Sequence, residues 1–90
     1  MGKEERMEMV LQLLHESELA LPPGVIFRNL KSRGATFERR TLGNYLDELQ
    51  DEGLVIKVDP DELEKGNIVE IDTDETGYYI LTTEGEERLE

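Results

Sequence analysis

Only Gly34, Ala35 and Thr36 separate two amphipathic segments near the middle of this chain, and a link of about three residues makes two helices cross steeply within one motif. Pro22-Pro23 opens the first segment, because proline fixes φ and lacks an amide hydrogen, which suits the first turn of a helix and no later one. That helix is predicted from about Pro23 to Arg33, with Val25, Ile26, Leu30 and Phe27 inward and Arg28, Lys31 and Arg33 outward. Gly34 ends it, since glycine tolerates the left-handed conformation that follows a helix. Thr36 is placed to cap the next helix, predicted over about Phe37 to Glu52 and stopped by Gly53. Leu42, Leu46 and Leu49 are its core positions, flanked by Phe37 and Tyr45; Glu38, Arg39, Arg40, Gly43, Asn44 and Asp47 form its outer face. Two short helices joined this tightly read as a helix-turn-helix.

Patterns on either side complete an α+β arrangement. Upstream, about Lys3 to Ser17, the residues Met7, Val10, Leu11 and Leu14 make one helical stripe. Met9 and Leu13 widen that stripe to about 200°, more than one core contact needs, so something further is expected to cover it. Downstream, strands are predicted at Leu54–Val58, Ile68–Ile71 and Tyr78–Leu81. Asp59 to Gly66 reads as a polar turn or a single helical turn, and Asp72 to Gly77 as a hairpin turn. Thr83 and Glu86 make a T-x-x-E capping box, so a short C-terminal helix carrying Leu89 is expected. Tyr78 and Tyr79 fall on opposite faces of their strand.

Ninety residues at 37% hydrophobic content support one modest core, so a single domain over 1–90 is expected, with no separate catalytic or sensing unit. The absence of cysteine removes disulfides and thiolate metal sites. The opening MGKEERMEM carries acids and turns amphipathic at once, unlike a secretory or transit leader, and no apolar run approaches the ~20 residues of a membrane span. A cytoplasmic protein with no membrane partner is the expectation.

Charge is unevenly placed. The net of −12 looks wrong for a protein that binds nucleic acid, yet Leu19 to Leu46 holds Arg28, Lys31, Arg33, Arg39 and Arg40 against the single acid Glu38, a local net of +4. Residues 1–18 carry −3 and residues 47–90 carry −13. So large an acidic excess with only four lysines suits a salt-rich cell. At ~1 M salt the screening length is roughly 3 Å, and self-repulsion of this kind is largely lost.

The element order, with the run Thr41-Leu42 … Leu46 … Leu49 … Gly53-Leu54-Val55 … Gly77-Tyr78-Tyr79-Ile80-Leu81-Thr82 … Gly85 … Leu89, resembles archaeal winged helix-turn-helix regulators, and among them the haloarchaeal phage-repressor-like group. The resemblance spans roughly Met7 to Leu89. It implies a winged helix-turn-helix fold, with a three-helix core, a β-hairpin wing and a short C-terminal helix. It also implies a sequence-specific transcriptional regulator, a repressor, whose partner is double-stranded DNA. By position it puts the reading surface on Thr36, Glu38, Arg39, Arg40, Gly43 and Asn44, and the wing tip near Lys65 to Asn67 or near Thr73 to Thr76. The chain departs from the group where relatives carry arginine or lysine and this helix has Gly43, Asn44 and Asp47. Its wing is also acidic, with Asp59, Asp61, Glu62, Glu64, Glu70, Asp72, Asp74 and Glu75 opposed only by Lys65, and is therefore expected to point away from the duplex or to be tolerated only in high salt.

Arginine bonds bidentately to guanine and asparagine to adenine, which makes Arg40 and Asn44, one turn apart, a candidate reading pair. Arg28, Lys31 and Arg33 suit phosphate contacts. The wide stripe through Met9 and Leu13, with Leu89, leads to an expected homodimer, in keeping with two-fold half-site reading. The rival reading is a winged-helix module that docks on another protein through its acids. Asp72-x-Asp74-x-Thr76-Gly77 matches half a calcium loop, but the twelfth position is Thr83 where glutamate is required, so a turn is expected. His15, the lone histidine, has no partner set for metal or nucleophilic chemistry and reads as a half-exposed helix-end residue. No phosphate loop, H-E-x-x-H or nucleophile elbow occurs, so the chain is expected to be no enzyme, with no cofactor and no small-molecule effector.

Overall fold

The computed structural model describes residues 2–72 and 75–90. Its elements run α1 (Lys3–Ser17), α2 (Pro23–Ser32), α3 (Arg39–Asp51), β1 (Val55–Val58), α4 (Pro60–Glu64), β2 (Tyr78–Leu81) and α5 (Thr83–Arg88). Leu42, Leu46 and Leu49 of α3 share one buried cluster with Val10 and Leu14 of α1, Ile26 and Leu30 of α2, and Val55 and Tyr79 of the sheet. The wide stripe on α1 is covered from within: the helix packs against both α2 and β2, and Leu13 is only 4% exposed. The surplus apolar face that suggested a homodimer is therefore largely absorbed by the core.

The sheet is antiparallel, with Val55 opposite Leu81 and Val58 opposite Tyr78. Leu21, between α1 and α2, adds a bridge to Tyr79 on the free edge of β2, and Glu70 adds one to Val58 on the free edge of β1. Three helices, a two-stranded hairpin sheet and a short C-terminal helix in this order make a winged-helix-turn-helix-like topology. The third predicted strand is reduced to that one bridge. Val69 accepts from the Asp59 amide at 2.9 Å and Ile71 donates to Lys57 at 2.9 Å. Ile68 is 61% exposed, however, so no apolar face drives a longer ladder. Tyr79 is buried and Tyr78 half-buried, as alternation requires.

Several local expectations shift. Val25 lies on the outside of α2, 41% exposed. The cap of α3 is Glu38, not Thr36, and Phe37 sits before the helix, not in it. Phe37 is buried edge-on against Tyr45, with ring centroids 5.4 Å apart, beneath the guanidinium of Arg6 on α1. Arg6 also donates to the Tyr45 hydroxyl at 3.3 Å. This cluster pins the turn to α1 and so sets where α3 begins.

The N-cap of α5 is Thr82 and not Thr83. Its hydroxyl donates to the Gly53 carbonyl at 2.6 Å and accepts from the Gly85 amide at 3.0 Å, while the Thr82 amide donates to Leu54 at 3.1 Å. Gly53 takes φ +77° to turn out of α3, and Gly85 lies so close to the Leu54 carbonyl that a Cβ there would overlap it. The Gly-Leu-Val and Thr-x-x-Gly runs are thus two halves of one latch between the end of α3 and the start of α5. His15 adds an outer tie, its Nδ1 lying 2.6 Å from Glu86.

Candidate nucleic-acid interface

Arg39 and Arg40 are the first two residues of α3, and both are exposed. This is an unfavourable place for a cation, because the unpaired amides of a helix N-terminus carry a partial positive charge and prefer acids. No acid stands in the first turn, and the cap residue Glu38 makes no side-chain bond to the helix amides. Local stability does not explain this arrangement. It does put two exposed arginines in the first turn of a helix whose free amides carry partial positive charge, and helix N-termini can receive phosphate oxygens.

One turn further along, Asn44 is exposed on the same side as Arg40, and Gly43 is half-buried. The Arg39 guanidinium leans along the helix, its Nη1 3.9 Å from where a Gly43 Cβ would stand. With no side chain at Gly43, the Arg39 guanidinium has room to lie along this face. Asp47 continues that face toward the C-terminus with an exposed acid, so the positive character belongs to the first half of the helix alone.

The other basic residues divide. Arg28 and Lys31 are exposed on α2, with the Lys31 ammonium 5.3 Å from the centre of the Phe27 ring. Arg33 is already engaged: it grips Glu16 of α1 with both terminal nitrogens, at 2.8 and 3.3 Å. That grip, first, and Gln12 second, hold the Glu16 carboxyl below its ordinary value of 4.5. Sequence reasoning missed this pair because Glu16 and Arg33 meet only through the packing of α1 on α2. Thr36 is exposed in the turn.

The wing folds on itself. Asp59 caps α4 by accepting from the Asp61 amide at 2.8 Å, and Glu62 takes both Asn67 at 3.1 Å and Lys65 at 3.5 Å. Of the two suggested wing tips, Lys65 to Asn67 is this turn; in the other, Thr73 and Asp74 lie outside the described residues, as does Asp74 of the half calcium loop. Lys57 is turned inward, 5% exposed, donating to the Glu75 carbonyl at 2.9 Å and lying over the Tyr79 ring. Among the described residues no cluster of three potential metal-ligating side chains occurs, and no helix is long and apolar enough to cross a membrane. No family model, no curated protein and no solved structure matches this chain.

Proposed function

We propose that this protein is a sequence-specific duplex-DNA-binding transcriptional regulator, a repressor, and not an enzyme. The observation that carries the reading is the pair Arg39 and Arg40 exposed in the first turn of α3, against the preference of the helix dipole. Cations placed where they cost stability are explained by an anionic partner. Helix-turn-helix proteins use the N-terminal residues of this second helix on base edges and phosphates. Arg40 and Asn44 read bases; Arg39, Arg28 and Lys31 take phosphates, while Arg33 holds α1 to α2. Thr36 and Glu38 border the site, and Gly43 lets the duplex approach the helix backbone. A homodimer belongs to this proposal through half-site reading alone, and sedimentation at micromolar concentration in high salt tests it: monomer only would remove it. A cytoplasmic setting in a salt-rich cell of haloarchaeal type is part of the same proposal, and the acidic excess supports the salt-rich part of it.

Selection of bound sequences from a random duplex pool tests the assignment. Arg40→Ala is expected to cost about 1–3 kcal/mol on the selected site and to relax preference at one base pair. Arg39→Ala is expected to weaken all duplexes alike. Unselective enrichment by the wild-type protein would refute sequence-specific reading.

A further inference from the structure

The far end of α3 is also charged against its dipole. Glu48, Asp51 and Glu52 close the helix with carboxylates, and no basic residue stands in its last turn, where the negative end of a helix favours cations. These acids border a groove of about 390 Å³ formed by the first half of α1, the end of α3 and Arg88 of α5. Half-buried Met7 lines it together with Leu11, Leu49 and Leu54 from the core. Glu4, Glu8, Glu48, Asp51 and Glu52 surround this apolar lining, against Lys3 and Arg88. Lys3 is itself held by Glu48 at 2.7 Å. The groove thus combines an apolar lining, space for more than one side chain, and a surplus of negative charge.

We propose that this groove docks a cationic amphipathic segment of another protein, an apolar side chain lying over Met7 and its lysines or arginines pairing with Asp51, Glu52 and Glu4. Charge complementarity selects this occupant. A basic partner would relieve both the mutual repulsion of the acids and their conflict with the helix end. A second copy of this chain is a poorer fit, because its basic run, Arg28 to Arg40, is also the proposed DNA surface, and docking it here would be head-to-tail and not the two-fold pairing that half-site reading needs. Thirteen helical residues separate the two ends of α3 by about 18 Å, so the segment and a duplex can be held together.

The test uses the full chain with labelled methyl groups, titrated with an amphipathic Lys/Leu peptide about 15 residues long, enough for a helix once bound. Saturable shifts at Met7, Leu11, Leu49 and Leu54 are expected. Asp51→Lys/Glu52→Lys is expected to weaken binding at least tenfold, as is replacing the peptide's leucines by glutamine. The equal charge change Asp61→Lys/Glu64→Lys on α4 is expected to leave binding within twofold. Equal binding of the glutamine peptide, equal loss in the α4 variant, shifts confined to other surfaces, or the same shifts from butylammonium alone would each overturn the proposal. So would self-association of the peptide-free protein through these methyls. DNA affinity of the Asp51→Lys/Glu52→Lys variant is a separate readout, expected unchanged or higher, so failure of the groove and failure of the DNA reading are distinguishable.

Discussion

Single residues in this fold are constrained where backbone meets backbone. Gly85 touches the Leu54 carbonyl from a position where any Cβ would overlap it, so relief requires α5 to lift from the end of α3. Gly85→Ala is therefore expected to destabilise by at least about 2 kcal/mol, within the range seen for overpacked sites, measured by denaturant unfolding. Thr82→Val removes the donor to Gly53 and the cap on Gly85 together, and a loss of about 1–2 kcal/mol is expected by the same measurement. The Arg33–Glu16 pair sets a pH dependence. Because Glu16 titrates below its ordinary value of 4.5 when folded, its contribution is complete above that value and disappears as pH falls through the lowered one. The stability difference between wild type and Glu16→Gln is expected at neutral pH and to vanish in acid; a difference that grew in acid would contradict the pairing.

At the scale of elements, α3 is a helix whose end charges oppose its dipole. Arg39 and Arg40 stand at the positive end; Glu48 and Asp51 stand at the negative one. Arg39→Ala/Arg40→Ala is accordingly expected to raise stability by about 0.3–1 kcal/mol per cation at low salt, less at high salt, while lowering DNA affinity. A melting temperature that fell would show that the arginines hold the fold. The helices were legible in the sequence because their apolar spacing is local, and α1, α2 and α3 begin and end within two residues of expectation. Long-range contacts were not. Phe37 looked helical until its packing under Arg6 and against Tyr45 placed it ahead of the helix. Ile68 to Ile71 has strand composition, but with Ile68 exposed only Glu70 makes a bridge. Thr83 satisfied a capping rule that Thr82 fulfils in fact, since one residue decides which hydroxyl reaches Gly53.

For the whole molecule, the proposed role requires a chain of net charge −12 to approach a polyanion. The basic candidates among the site residues were readable from charge order alone, but the engagement of Arg33 by Glu16 was not, because it joins residues far apart in sequence. What remains is a small cationic surface on α2 and the start of α3 in an acidic protein, so long-range repulsion and short-range attraction compete. Duplex affinity comes largely from neutralised phosphates and falls with salt in proportion to their number. The most direct test is therefore affinity for random duplex across a salt series, for wild type and Arg39→Ala/Arg40→Ala side by side. The account predicts that wild-type affinity falls as salt rises once the molecule's overall repulsion is screened, and that the double variant binds more weakly with a log-log slope shallower by about 1, the one phosphate contact assigned to Arg39. Superimposable curves for the two proteins, with the variant folded, would contradict it.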